Sequence, residues 1–347
     1  MIKVLIVDDS AFMRIALRKM VEGDPEVKVV GEAKNGAVAV QMARELRPDV
    51  ITMDVEMPEM DGLTAAGEIM ASAPCAIIMV SSLTEKGAAT TIKALEIGAV
   101  DFISKKSSFV QLDIVQIGEE LLQKVRYWAQ QNSKQRRSGS VPTPAPQAPM
   151  AMKKIMAPSS KIGLVVIGIS TGGPAAMPKF LRSMGRLSCP VVIAQHMPPV
   201  FTKGFADHMR AETGLNVMEG VHGMQLEPGM VVVAPGGTDS IVREPFPAKL
   251  ALYLKMNAEV NIHPNADTLF RSATSLSVGV VAVIMTGMGS DGTLGAKELH
   301  KRNVPILVQS PASCVVDGMP GSAIAAGIVS EALPLDELGR RLAKWCA

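Results

Sequence analysis

Cysteine is scarce in this sequence, and so are histidine, long apolar runs and any excess of one charge. The four cysteines, Cys75, Cys189, Cys314 and Cys346, are far apart. They fit no Cys-x-x-Cys or metal-ligand spacing, which argues against a disulfide framework or a zinc module. No signal-like segment opens the chain, so a cytoplasmic location with reduced core thiols is expected. No apolar run reaches the length needed to cross a bilayer, and the longest candidate, Val278–Met285, reads as a strand, so no membrane insertion is expected. The formal net charge is only +2, which gives no global field to hold nucleic acid. Acidic residues are absent from one segment, 131–160, which carries Lys134, Arg136, Arg137, Lys153 and Lys154.

What is present is apolar and periodic. Hydrophobic residues make up 48% and charged residues 20%, a balance that suits well-buried cores, and 347 residues are enough for two domains. Residues 131–160 divide the chain. They contain Pro142, Pro144, Pro146, Pro149 and Pro158 among Gln, Ser and Ala, a composition that cannot bury a core. The expected organisation is a domain over 1–130, a flexible Pro-rich linker over 131–160 and a second domain over 161–347.

In the first domain, short β-branched runs at Val4–Val7, Val27–Val30, Val50–Met53, Ala76–Val80 and Val100–Ile103 alternate with helical patterns such as Phe12–Val21 and Ala37–Leu46. This alternation predicts an open parallel sheet, doubly wound with helices on both faces. The last helix repeats apolar residues at Val110, Ile114, Ile117, Leu121, Val125 and Trp128, the spacing of one buried stripe. Asp8 and Asp9 follow the first strand and Asp54 the third, so all three carboxylates would meet at the carboxyl edge. They would repel one another unless a small oxygen-coordinated cation such as Mg²⁺ were bound. Ser81 closes the fourth strand and Lys105 follows the fifth. A hydroxyl and an ammonium facing that cluster make a site for a phosphoryl group. Taken singly, Asp9 or Ser10 could be a helix cap and Lys105 a solvated surface residue.

The second domain is organised around Gly168-Ile169-Ser170-Thr171-Gly172-Gly173. The stretch follows the apolar run Ile162–Ile167 and precedes Pro174, a residue favoured in the first turn of a helix. Three readings fit it: a serine nucleophile on a strand-to-helix elbow, a Gly-rich anion or nucleotide loop, and a plain tight turn. Further strands are expected at Val191–Gln195, Met230–Ala234, Leu250–Leu254, Val278–Met285 and Pro305–Val308, with an antiparallel hairpin near 230–254. Helices are expected at Ala175–Ser183, Thr202–Glu212, Ala266–Ser275 and Thr293–Lys301. A final helix would carry Leu335, Leu338, Leu342 and Trp345 on one face. His196 follows one strand, and Asp291 follows another through Thr286-Gly287-Met288-Gly289-Ser290. A hydroxyl, an imidazole and a carboxylate at strand ends are the parts of a nucleophilic triad. The chain order Ser, His, Asp is not one of the familiar hydrolase orders. A histidine beside Met197-Pro198-Pro199 and an aspartate before Gly292 also read as ordinary loop and turn residues. His208, His222 and His300 have no such placement.

Two families share these motifs. Val7-Asp8-Asp9-Ser10, Met53-Asp54-Val55-Glu56-Met57-Pro58-Glu59-Met60-Asp61-Gly62 and Gly98-Ala99-Val100-Asp101-Phe102-Ile103-Ser104-Lys105 resemble the receiver domain of bacterial response regulators. The resemblance implies phosphorylation of Asp54 by a CheA-type histidine kinase. It also implies Mg²⁺ held by Asp8, Asp9, Asp54 and the Glu56 carbonyl, with Ser81 and Phe102 as switch residues. Where that family usually has proline after the lysine, this chain has Lys106. The Lys105–Lys106 peptide is therefore expected to be trans with Lys105 displaced, or strained.

Gly168–Gly173, Gln195-His196-Met197-Pro198, Thr286–Gly292 and Gly318-Met319-Pro320 resemble the catalytic domain of the CheB chemotaxis methylesterases. The resemblance covers essentially the whole chain outside the linker. It implies Ser170 as nucleophile, His196 as general base and Asp291 as its orienting carboxylate. The Met288 N–H, with Thr171, would stabilise the oxyanion, and this half would need no cofactor. The implied substrates are methyl-accepting chemoreceptors, whose γ-glutamyl methyl esters are hydrolysed and whose specific glutamines are deamidated. Residues 1–130, when unphosphorylated, would cover the cleft. Two stretches depart from the family pattern and are expected at the cleft rim: Pro235-Gly236-Gly237-Thr238-Asp239, which lacks a histidine, and His263-Pro264-Asn265-Ala266-Asp267, which lacks an arginine. The alternative is a response regulator with a non-catalytic or nucleotide-binding output domain. A DNA-binding output is disfavoured, because the second half shows repeated strands and no basic helix-turn-helix.

Overall fold

Alternating strands and amphipathic helices are realised twice. The computed structural model describes residues 1–82, 84–105, 111–138, 161–256 and 262–347. The chain divides into two compact units, Met1–Pro146 and Gln147–Ala347.

In the first unit the elements run β1 (Ile2–Val7), α1 (Ala11–Val21), β2 (Val27–Ala33), α2 (Gly36–Leu46), β3 (Val50–Asp54), α3 (Gly62–Ser72), β4 (Ala76–Ser82), α4 (Glu85–Glu96), β5 (Asp101–Lys105) and α5 (Gln111–Ser138). The strands form one parallel sheet in the order β2-β1-β3-β4-β5. Every residue of β3 is buried, as in a central strand covered by helices on both faces. The order reverses between β1 and β3, and a doubly wound sheet opens its binding crevice at such a point, beyond the carboxyl ends of its strands.

Side-chain caps fix where the helices begin. Ser10 accepts from the Met13 N–H, Asn35 from Val38, Asp61 from Thr64 and Thr84 from Gly87. Gly62 is required by close approach, since a Cβ there would lie 1.9 Å from the Asp54 carbonyl oxygen. Leu121, Val125 and Trp128 of α5 are buried, as the stripe predicts. The helix continues through Ser138, because Gln, Lys and Arg are good helix formers and no proline occurs before Pro142. Val110, the Lys105–Lys106 peptide and the Pro-rich segment 139–160 lie outside the described residues.

In the second unit the elements are β6 (Ile162–Ile169), α6 (Gly173–Met184), β7 (Val191–Gln195), α7 (Pro199–Thr213), β8 (Asn216–Glu219), β9 (Met224–Leu226), β10 (Met230–Val233), β11 (Asp239–Phe246), β12 (Lys249–Lys255), α8 (Ala266–Ser272), β13 (Gly279–Ile284), α9 (Thr293–His300), β14 (Ile306–Gln309), α10 (Gly318–Ala325), β15 (Glu331–Leu333) and α11 (Leu335–Trp345). Seven strands form a parallel sheet in the order β15-β14-β13-β6-β7-β10-β8. β6 is central, with β13 on one side and β7 on the other. Its residues from Leu164 to Ile167 are fully buried. Leu335, Leu338 and Leu342 of α11 are buried, and Trp345 is half-buried.

An antiparallel hairpin is present in the expected region near 230–254. Its arms are β11 and β12, which pair antiparallel and are joined to β9, whereas Met230–Val233 is a strand of the main sheet. Met230–Val233 is β-branched and Lys249–Lys255 is built on leucine and tyrosine, and neither composition reveals which sheet the segment joins.

Candidate active site

The three polar residues expected to act together follow three adjacent strands. Ser170 follows β6, His196 follows β7, and Asp291 lies in the turn between β13 and α9. The register holds them level, because Gly168 pairs with Ala194 on one side and with Ile284 on the other. Main-chain bonds continue past the strand ends: Ser170 N–H donates to the Thr286 carbonyl (2.9 Å) and His196 N–H to the Ile169 carbonyl (3.1 Å).

The side chains then meet. Ser170 Oγ lies 3.0 Å from His196 Nδ1, and His196 Nε2 lies 2.7 Å from Asp291 Oδ2. The residue order that matched no familiar hydrolase is therefore brought into hydrogen-bonding reach by strand order and by the turns that follow the strands. For neutral His196 to accept the serine proton, Nδ1 must be bare and Nε2 must carry the hydrogen. A carboxylate at Nε2 enforces that tautomer.

Asp291 is held as an anion. Its Oδ1 accepts from Asn265 Nδ2 (2.9 Å), Asp267 N–H (2.9 Å) and Gly292 N–H (2.8 Å), and its Oδ2 also accepts from Ala266 N–H (2.7 Å). Burial pushes its pKa up, but His196 and these N–H groups outweigh burial and hold it below the usual carboxylate value. Neighbouring Asp267 shows the opposite result. Burial, reinforced by the nearby Asp291 charge, raises its pKa despite a 2.6 Å bond from the Gly295 N–H.

Glycines and one glutamine pack the turns around the serine. A Cβ at Gly287 would lie 2.7 Å from Ser170 Cβ and 2.4 Å from Met319 Sδ. Met288, the next residue, is half-buried, and Thr171 is buried with its carbonyl accepting from Thr286 Oγ1 (2.9 Å). Gln195 Nε2 donates to the carbonyls of Ser170 (3.1 Å) and His196 (3.3 Å), tying the two turns together. Gln195 was visible only as a motif neighbour of His196. Its bridging role depends on two strand ends lying side by side.

The two stretches expected at the cleft rim meet each other. Asp239 is fully buried, and its Oδ1 accepts from His263 Nδ1 (2.8 Å) and from the Asn265 N–H (2.9 Å). A second carboxylate–imidazole pair thus lies next to the residues that bind Asp291.

The first unit gathers its own polar residues at the carboxyl edge of its sheet. Carboxylate oxygens of Asp8, Asp9 and Asp54 lie within 4.8 Å of one another. Such a set of hard oxygen donors fits Mg²⁺. Lys105 Nζ lies 2.7 Å from both Asp8 Oδ2 and Asp54 Oδ2. Burial pushes the Asp54 pKa up to about 6, against the pull of Lys105. Ser10, one of the two residues that could be a cap, is the cap of α1. Ser81 and Phe102 are buried on β4 and β5, and Glu56 is exposed just beyond β3.

The molecule thus combines a receiver-type unit, with an aspartate pocket at its switch point, and an α/β unit that carries a Ser–His–Asp array. Comparison with known families gives the same pair: a response regulator receiver domain over residues 4–115 and CheB methylesterase over residues 165–342. The chain belongs to the CheB methylesterase family. A relative from Carboxydothermus hydrogenoformans, named protein-glutamate methylesterase/protein-glutamine glutaminase 2, is 42% identical, covering 98% of this chain and 98% of the relative. One from Thermotoga maritima, named protein-glutamate methylesterase/protein-glutamine glutaminase, is 40% identical, covering 98% of this chain and 97% of the relative. The crystal structure of the Thermotoga maritima CheB methylesterase catalytic domain is 32% identical with a TM-score of 0.51, and covers 53% of this chain and 98% of that one. Among the described residues no helix is long and apolar enough to cross a membrane.

Proposed function

We propose that this chain is a phosphorylation-activated protein-glutamate methylesterase and protein-glutamine glutaminase acting on methyl-accepting chemoreceptors in the cytoplasm. The observation that carries this reading is the continuous path from Ser170 Oγ to His196 Nδ1 (3.0 Å) and from His196 Nε2 to Asp291 Oδ2 (2.7 Å). Full-length relatives bearing that activity in their names support the substrate class. The path also favours hydrolysis over a nucleotide-binding or non-catalytic output domain, because a phosphate cradle has no need of an imidazole held by a carboxylate.

In the first step Ser170 Oγ attacks the side-chain carbonyl of a glutamyl methyl ester or a glutamine. Its proton passes to His196 Nδ1, while Asp291 stabilises the imidazolium through Nε2. The Met288 N–H, assisted by Thr171, receives the oxyanion. Donors fixed before the reaction are worth most there, since they need no reorganisation as charge develops. His196 then returns the proton to methanol or ammonia as it leaves. A water that gives its proton to the same nitrogen cleaves the acyl-enzyme, leaving a glutamate. The new carboxylate adds negative charge to the receptor and so biases its signalling equilibrium.

In the first unit Asp54 is the acceptor of a phosphoryl group from a CheA-type histidine kinase. Asp8, Asp9, Asp54 and the Glu56 carbonyl would hold Mg²⁺, which supplies positive charge to the phosphoryl oxygens. Lys105 presents a second positive charge to the same oxygens, and Ser81 and Phe102 answer the new group. Residues 1–130 form the regulatory domain, 131–160 the linker and 161–347 the catalytic domain.

The test is methanol release from glutamyl-methylated receptor membranes, with and without a small phosphodonor. Wild type should release methanol faster when the donor is present. Ser170→Ala should release none above background. Methanol release by Ser170→Ala at the wild-type rate would remove the proposal.

A further inference from the structure

Asp291 takes three of its donors from one short segment: Asn265 Nδ2, Ala266 N–H and Asp267 N–H. The same segment is anchored by a second carboxylate. Asp239, fully buried, accepts from the Asn265 N–H and from His263 Nδ1 through one oxygen. Residues 263–267 are therefore gripped by two carboxylates, and Asn265 is the residue that touches both.

The orientation of the Asn265 amide follows from its partners. Its Oδ1 accepts from Thr268 N–H (2.8 Å) and Thr268 Oγ1 (2.9 Å), capping α8. Only its NH₂ can then face the anionic Oδ1 of Asp291. The residue is 8% exposed, so water competes poorly for these bonds. One amide thus starts a helix with one end and orients the triad carboxylate with the other.

We propose that Asn265 is a positioning residue for hydrolysis, fixing the rotation and charge of Asp291 so that Oδ2 meets His196 Nε2, while Asp239 fixes Asn265. The inference rests on the Ser170–His196–Asp291 reading given above. It adds a dependence that the triad alone does not require. Without the amide, Oδ1 keeps two main-chain donors but loses its side-chain partner. Asp291 is then less firmly oriented and more basic.

Asn265→Asp isolates this role. Aspartate is as good a helix cap as asparagine, so the bond to Thr268 survives. The other carboxyl oxygen would face Asp291 in place of a donor. Asn265→Ala removes both functions and adds no charge. The charged groups around Asp291 are His196 and Asp267, the latter close to Arg271. An added negative charge here favours protonated His196, so the acid limb of kcat/KM should move to higher pH.

The measurements are methanol release from glutamyl-methylated receptor membranes, thermal unfolding by circular dichroism, and an NMR titration of the His196 ring. Both variants should lose about 10–100-fold in kcat with KM little changed, by analogy with the loss when the hydrogen-bond partner that orients a metal-ligating side chain is removed. Both should shift the acid limb and the His196 titration upward, Asn265→Asp more than Asn265→Ala. A purely structural role predicts something else: lower Tm and less folded protein, with kcat per folded molecule and both titrations unchanged. That result overturns the proposal, as does wild-type behaviour of both variants. Ser170→Ala, run alongside, separates the two claims. If it is inactive while both Asn265 variants behave as wild type, only the positioning role fails. If it is as active as wild type, the triad reading fails as well.

Discussion

His196 meets Ser170 through Nδ1, not Nε2, at 3.0 Å. The choice of nitrogen follows from the sheet. β7 delivers the histidine beside β6, and Asp291 arrives from β13 on the far side of β6. The far ring nitrogen is the one left to face the carboxylate. The required tautomer, with hydrogen on Nε2, is thus set by strand order.

Asp291→Asn tests that tautomer. An amide NH₂ in place of Oδ2 would face His196 Nε2 and the Ala266 N–H, whereas in place of Oδ1 it would face the N–H donors of Asp267 and Gly292 and the Asn265 amide. The Oδ1 placement sets the NH₂ against three donors and the Oδ2 placement against only one, so the latter is favoured, and an NH₂ donating to Nε2 moves the imidazole hydrogen to Nδ1. In methanol-release assays kcat should fall about 10³–10⁴-fold with KM nearly unchanged, the loss expected when a triad imidazole takes the wrong tautomer. A loss under tenfold would show that the carboxylate is dispensable.

Gly287→Ala tests how tightly the serine turn is packed. The new methyl would fall 2.7 Å from Ser170 Cβ and 2.4 Å from Met319 Sδ. Displacing the nucleophile by about 1 Å should cost about 10²-fold in kcat, as a misplacement of that size can. Unfolding by denaturant should show the second unit still folded.

Asp54→Asn and removal of divalent metal bear on the receiver. Asp54→Asn should keep the unstimulated rate of methanol release and lose the increase produced by a small phosphodonor. Wild type assayed in EDTA should behave like Asp54→Asn, and added Mg²⁺ should restore the response. A phosphodonor response that survives in EDTA would contradict the role given to Asp8, Asp9 and Asp54.

Lys124 offers a stability test of the first unit. Its Nζ donates to Asp101 Oδ1 (2.9 Å) and to the Phe102 carbonyl (2.7 Å), and Glu120 lies 3.0 Å away. Lys124→Met removes a counter-ion 2.9 Å from buried Asp101 and should destabilise the first unit by about 3 kcal/mol in urea unfolding. Burial alone would lower the Lys124 pKa, but Asp101 and Glu120 outweigh it and raise it. The folded value therefore lies above the unfolded one. The stabilisation is complete below the ordinary lysine value of about 10.4 and is lost as pH rises further. The gap between wild type and variant should stay constant from neutral pH to about pH 10 and narrow above it.

Much of this molecule can be read along the chain. Alternating apolar runs and amphipathic helices marked all five strands of the first sheet and β6, β7, β10, β13 and β14 of the seven-stranded one, but not its short edge strands β8 and β15, and Gly-rich turns after β6 and β13 marked where chemistry would sit. Asp8, Asp9 and Asp54 were legible because each ends a strand in a doubly wound pattern, and Ser170, His196 and Asp291 for the same reason. Local sequence carries these signals because side-chain period and turn chemistry are local properties. Asn265 was present in a quoted motif, but nothing in its neighbourhood says that its amide faces a carboxylate 26 positions away.

The amino-acid sequence by itself determined two α/β domains, the identity of the chemical groups and the strand end that carries each. Tertiary structure decided which strands are neighbours, which imidazole nitrogen faces the serine, which segments form the hairpin, and that Asp239 and Asn265 support Asp291. The physical reason is that periodicity fixes which face of a strand is buried, whereas strand order and loop meeting points are settled by burial and hydrogen bonding between segments distant in sequence. Those pairings leave no repeating mark on the residues that make them.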